Sequence, residues 1–206
     1  LPKMNFFRRL LWKICLKKIY LVTCPTELTR NYLINLNLIK KEKIITLYDP
    51  IIEVKKYNAL KKIKTDRKDF YLAAGRLTKQ KNFIFLIKTF EKLYKEKIIN
   101  EKLLIAGVGE LKKNLQDYIN KNKIKKIELI GYQTNILNLM KNCKAFILSS
   151  LWEDPGFVLI EAGYNGCQVI SSDCPNGPSE IVGNDGGYLF ESNSKSSLVQ
   201  TISKFL

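Results

Sequence analysis

The sequence predicts an α/β fold over residues 70–206: an open, doubly wound parallel sheet with helices on both faces, preceded by a smaller unit. Two observations carry this. From Phe70 onward, runs of four or five apolar residues alternate with longer stretches of helical spacing. That is the pattern of strands buried on both faces and joined by helical crossovers. In addition, the unusual residues (glycines, prolines, paired charges) cluster where a strand hands over to a helix. Right-handed crossovers gather all such loops on one edge of the sheet, where ligands bind.

The elements follow in order. Residues 5–19 place Phe6, Leu10 and Ile14 at helical spacing, with Arg8, Arg9, Lys13, Lys17 and Lys18 between apolar positions. Such a helix either covers a sheet or lies on an anionic membrane. A short strand over 20–24 is broken by Pro25 and Thr26, a helix covers 27–36, and a second strand over 43–47 ends at Asp49-Pro50. Residues 51–69 are charged and lack clean periodicity, so they are read as a linker between a domain at 1–50 and one at 70–206. In the latter, strands are expected at 70–74, 102–106, 127–130, 145–148, 168–171 and 187–190. Helices are expected at 83–94, 111–120, 136–141 and 156–165, with a short one opening near Pro178. The chain starts at Leu1 rather than Met, and its last stretch, 196–206, stops inside a helical pattern, so both ends read as cut.

Composition narrows the chemistry. Hydrophobic residues make up 46% of the 206 positions, enough for a packed core. No run of about 18 apolar residues exists, and the basic, apolar start lacks the small-residue cleavage site of a signal peptide. The formal charge is +16, and residues 1–68 carry 17 Lys or Arg against 5 acids. A basic leading third suggests an anionic partner: a phospholipid surface, a diphosphate or nucleic acid. The last is disfavoured, because the chain shows no zinc finger, no aromatic-and-basic single-strand signature and no recognition helix. With no histidine, any histidine general base or Cys/His zinc site is excluded. The five cysteines are odd in number and show no CxxC spacing, which fits reduced thiols.

Four loops hold the candidate site. Gly75-Arg76-Leu77 with Lys81-Asn82 puts a forked donor and a point charge ahead of a helix, the combination a diphosphate needs. Gly107-Val108-Gly109-Glu110 is an incomplete dinucleotide fingerprint; its glycines serve either a tight turn or close approach to a nucleotide. Glu153 follows a strand, and Glu161 lies eight residues later on an otherwise apolar helix. A carboxylate there needs a partner, either ribose hydroxyls or a buried salt bridge. Asp173 to Glu180 is a rigid Pro/Gly loop opening a short helix on the same edge.

Together these motifs resemble the C-terminal, donor-binding domain of the GT-B glycosyltransferases of family 4, particularly bacterial enzymes that build lipopolysaccharide or lipid-linked oligosaccharide. The likeness runs from about Tyr20 to Leu206 and includes Gly131-Tyr132 with Asn135 and the glutamate, seven residues, glutamate spacing of Glu153 and Glu161. It implies a Rossmann-like sheet and a retaining transfer of a hexose or N-acetylhexosamine from a UDP- or GDP-sugar to a glycan or lipid-linked acceptor. It implies no further cofactor and no metal.

Carried over by position, Arg76 and Lys81 would clamp the diphosphate, Glu161 would accept the ribose hydroxyls, and Glu153 would contact the transferred sugar. Arg76, Lys81 and Glu153 are thus the expected catalytic residues. Gly75, Gly109, Tyr132, Asn135, Gly156, Phe157 and Val158 would complete the donor site. The resemblance also implies that 1–50 is a remnant of an acceptor domain, the rest of which would lie outside this chain or in another subunit. A chain of this kind would sit in the cytoplasm or peripherally on the inner membrane, and would transfer poorly by itself. The alternative is a non-catalytic nucleotide-sugar-binding fragment that needs a separate acceptor domain.

Overall fold

The computed structural model describes residues 5–55, 57 and 70–206. The leading segment is a small unit of its own. Helix α1 (Phe6–Lys17) starts at Asn5, whose side chain accepts from the Arg8 amide, and α2 (Glu27–Asn35) starts at Thr26, which accepts from the Thr29 amide. Both are side-chain N-caps that satisfy an otherwise orphaned donor. Strands β1 (Val22–Cys24) and β2 (Ile44–Thr46) pair in parallel, with α2 in the connection between them. Their core is Leu16, Cys24, Leu33, Leu38, Ile39 and Ile44. The expected strand at 20–24 begins two residues late, since Tyr20 is 92% exposed and Leu21 is also exposed. Helix α1 buries only Leu16 and turns Phe6, Phe7, Leu10, Leu11 and Ile14 outward.

The main unit is a six-stranded parallel sheet. Its strands are β3 (Phe70–Ala74), β4 (Lys102–Ala106), β5 (Ile127–Gly131), β6 (Ala145–Leu148), β7 (Val169–Asp173) and β8 (Tyr188–Glu191). The spatial order is β5-β4-β3-β6-β7-β8. Strand side chains alternate between faces, and the two cores divide accordingly. Tyr71, Ala73, Ala145 and Ile147 join the core under α3 (Phe83–Lys95), α4 (Lys112–Lys121) and α8 (Lys195–Phe205). Phe70, Leu72, Ala74, Phe146 and Leu148 join the core under α5 (Ile136–Asn142), α6 (Phe157–Tyr164) and α7 (Pro178–Val182). Both faces are covered, which is why the central strands β3 and β6 read as unbroken apolar runs.

Two strands extend past the apolar runs seen in the sequence. β7 continues through Ser172 and Asp173 because they pair with Phe190 and Glu191 of β8, which moves that strand one residue on as well. The ladder's backbone hydrogen bonds, not hydrophobicity, hold these last positions. Of the expected linker at 51–69, residues 56 and 58–69 lie outside the described residues. Tyr57 is buried edge-on against Tyr164 of α6, ring centroids 5.0 Å apart, and Ile52 packs on the same core.

Candidate functional site

The chain builds outward from β3 through β4 to β5, then returns to place β6 on the other side of β3. Successive helices therefore leave opposite faces at this point, and a crevice opens at the carboxyl ends of the strands. A cleft of about 380 Å³ lies here, lined by Gly75, Arg76, Lys81, Val108, Tyr132, Gln133, Ile136, Met140, Val158 and Glu161 among others.

Its floor is built by loops that continue the sheet beyond the strands. The Gly75 amide donates to the Ala106 carbonyl at 3.0 Å, that of Leu77 to Val108 at 2.8 Å, and that of Gly107 to Gly131 at 2.8 Å. A Cβ on Gly107 would lie 1.9 Å from the Gly75 carbonyl oxygen, and one on Gly109 would lie 2.5 Å from that of Leu77. The close approach these glycines permit is thus of one loop's backbone to another's. Gly107 has a further demand, a φ of +140°, that side-chain-bearing residues rarely meet.

Arg76 is exposed at the cleft, whereas the side chain of Lys81 is only 14% exposed. Lys81 runs past Gly75, where an added Cβ would meet its Cε at 3.1 Å, and ends in an ion pair with Glu153, Nζ to Oε1 2.6 Å. Glu153 is itself 4% exposed. A buried ion pair needs further hydrogen bonds to offset desolvation, and these are present. The Ser150 hydroxyl donates to Glu153 Oε1, the Glu153 amide to the Pro175 carbonyl, and the Ser149 hydroxyl to the Lys81 carbonyl. The Cys174 thiol, close by, is pushed up to about 11 by burial, with the Glu153 charge adding to the effect. Glu161, half-buried, faces the cleft from α6. The Tyr57 phenol is pushed up to about 12, first by burial and then by the Glu161 charge.

Of the residues expected at the site, the cleft gathers Gly75, Arg76, Lys81, Tyr132, Val158 and Glu161. Glu153 lies behind Lys81, and Gly156 beside Glu153, where an added Cβ would meet Glu153 Cγ at 3.4 Å. Gly109 packs on Leu77, and Asn135 is exposed at the start of α5. Phe157 faces a second hollow of about 520 Å³ between the leading segment and α6 and α7, with Tyr48 and Glu180. Glu153 forms a buried salt bridge with Lys81. Sequence reasoning missed Ile136 and Met140 in the cleft wall and Ser150 behind it, and named Val108 only as part of its glycine loop. No sequence signal sets Ser150 apart from any other serine at a strand end.

The comparisons with known proteins bear on family and fold. Residues 55–206 match the family described as glycosyl transferases group 1. The amylovoran biosynthesis glycosyltransferase AmsD of Erwinia amylovora is 30% identical over 166 residues, which cover 80% of this chain and 46% of AmsD. A Campylobacter jejuni N-acetylgalactosamine-N,N'-diacetylbacillosaminyl-diphospho-undecaprenol 4-alpha-N-acetylgalactosaminyltransferase is 34% identical over 139 residues, 66% of this chain and 37% of that protein. A solved structure of a Staphylococcus aureus TarM variant with Fondaparinux, alpha-GlcNAc-glycerol and UDP superposes with a TM-score of 0.79. It is 22% identical, and the match covers 98% of this chain and 41% of TarM. The chain therefore spans less than half the length of these relatives. Its parallel sheet is that of the GT-B glycosyltransferases, and the chain belongs to the glycosyl transferases group 1 family.

Proposed function

We propose that this chain is the donor-binding part of a retaining glycosyltransferase, moving a hexose or N-acetylhexosamine from a UDP- or GDP-sugar to a lipid-linked or cell-surface glycan. The observation that carries this reading is the cleft at the switch point, with Arg76 and Lys81 at one side and Glu161 at the other. Arg76 and Lys81 are donors suited to a diphosphate, and Glu161 is an acceptor suited to paired ribose hydroxyls. The apolar wall of Val108, Ile136, Met140 and Val158, with Tyr132, suits the flat faces of base and ribose. In this reading Arg76 and Lys81 stabilise the negative charge that develops on the departing nucleoside diphosphate, where electrostatic stabilisation is most effective. TarM, whose fold is shared, was crystallised with UDP, which supports a uridine nucleotide. The Campylobacter relative, named for a diphospho-undecaprenol acceptor, supports a lipid-linked one.

Helix α1 supports a membrane-peripheral site of action on the cytoplasmic face. It carries Arg8, Arg9, Lys13 and Lys17, has no acidic residue, and turns apolar side chains outward. A second reading is a nucleotide-sugar-binding fragment that acts only with a separate acceptor domain, favoured by a match to less than half of each relative.

The test is calorimetric titration with UDP, GDP and ADP, repeated on Arg76→Ala. Saturable binding of one nucleotide, weakened roughly tenfold or more in the variant, is expected. Absence of binding by all three would overturn both readings. Turnover of the matching nucleotide sugar by the isolated chain separates the first reading from the second.

A further inference from the structure

The two carboxylate oxygens of Glu153 are not equivalent. Oε1 accepts from both the Lys81 ammonium and the Ser150 hydroxyl. Oε2 accepts no hydrogen bond from any described residue, and it is not among the buried polar atoms sealed away from solvent. A carboxylate 4% exposed, with one oxygen doubly held and the other without a hydrogen bond from any described residue, has the capacity to accept one more donor.

The arrangement is imposed from behind. Ser150 is fully buried at the end of β6, and its carbonyl accepts from the hydroxyl of Ser172, fully buried on β7. The hydroxyl of Ser150 reaches Glu153 three residues further along the loop, while the Glu153 amide is tied to Pro175. Lys81 alone is a flexible point charge that can pair with either oxygen. The Ser150 hydroxyl, short and anchored to the sheet, selects which one.

We propose that Ser150 is a positioning residue for the donor sugar: it fixes Glu153 so that Oε2 stays open to a hydroxyl of the bound sugar. This rests on the donor-binding reading above and adds to it a residue that touches neither nucleotide nor sugar. Its effect is therefore confined to the affinity that a nucleotide sugar has beyond its nucleotide.

The experiment measures dissociation constants of UDP and of UDP-glucose, UDP-galactose, UDP-N-acetylglucosamine and UDP-N-acetylgalactosamine by calorimetry. The proteins are wild type, Ser150→Ala, Glu153→Gln and Ser171→Ala. In the wild type one sugar nucleotide is expected to bind more tightly than UDP. In Ser150→Ala, UDP affinity should stay within about twofold, while the gain from the sugar falls by roughly five- to tenfold, the scale of one ordinary hydrogen bond. Glu153→Gln should lose the same gain. Ser171→Ala deletes an equally buried hydroxyl that bonds the Ser172 carbonyl and neither Ser150 nor Glu153, so it should keep the gain. If Ser150→Ala and Ser171→Ala lose it equally, the role of Ser150 is merely structural and the proposal fails. It fails also if Ser150→Ala keeps the gain, or if the wild type shows none while UDP binds. Absence of UDP binding in the wild type would instead remove the donor-binding reading on which it stands.

Discussion

Glu180 of α7 caps the amino end of α2, its Oε2 accepting from the Leu28 amide at 3.2 Å across 152 residues of sequence. The other oxygen accepts from the Glu27 amide at 3.1 Å. A carboxylate at a helix amino terminus satisfies orphan donors and meets the positive end of the helix dipole. This contact ties the leading segment to the sheet domain. Glu180→Ala should therefore cost about 1 kcal/mol. Limited proteolysis should show cleavage within residues 20–48 before cleavage of the sheet domain. An unchanged digestion pattern would mean that the segment is held by its apolar contacts alone.

The Lys81–Glu153 pair couples two loops 72 residues apart. Glu153→Ala leaves the Lys81 ammonium without its buried partner, and a loss of about 3 kcal/mol in urea unfolding is expected. The double variant Lys81→Met with Glu153→Ala should recover part of that loss, with a coupling of about 1 kcal/mol or more against the two single variants. Strict additivity would show that the pair does not interact in solution.

Gly107 and Gly131 separate steric crowding from backbone strain. Both have positive φ, but an added Cβ at 107 would collide with the Gly75 carbonyl, while at 131 nothing lies within 4 Å. Gly107→Ala should cost about 3 kcal/mol or more and displace the loop that carries Arg76. Gly131→Ala should cost only about 1 kcal/mol. Thermal unfolding of the two variants side by side checks the order.

Burial pushes the Glu101 carboxyl upward, but hydrogen bonds from Lys144 and the Asn100 amide outweigh it and hold the group below the usual range. Hydrogen bonds from Lys95 and then Tyr118 hold Glu91 low as well. A carboxyl depressed in the folded state contributes stability above its unfolded value, lost as pH falls through the folded one. Stability should thus be steady near neutrality and decline below about pH 4. Lys144→Met should lower it at pH 7 and converge on the wild type in acid. A constant difference from pH 7 to pH 3 would contradict this.

The elements were legible where burial and periodicity coincide. Strand β3 is apolar at every position because helices cover both its faces, and α3 repeats Phe83, Ile87 and Phe90 along one side. The positions of Arg76, Lys81 and Glu153 at strand-to-helix loops, and of Glu161 on the helix that follows, were legible for the same reason. The pairing of Lys81 with Glu153 was not, since a side-chain contact between separate loops leaves no periodic trace. Neither was Ser150, whose hydroxyl is indistinguishable in sequence from that of any serine at a strand end. The outward apolar face of α1 shows the limit of periodicity: spacing marks which residues share a side, and tertiary packing decides whether that side turns inward.

Local patterning, together with the handedness of crossovers, was enough to specify a parallel sheet with its loops on a common edge. Which loops meet there was decided by strand order. β6 pairs with β3, Tyr71 opposite Ala145, although β4 and β5 intervene in the chain. That pairing brings the loop of residues 75–81 beside that of 150–156 and opens the cleft between α5 and α6. It is a long-range choice, settled by the cooperative burial of two apolar faces against the entropy of closing a long loop, and periodicity within a strand cannot encode it.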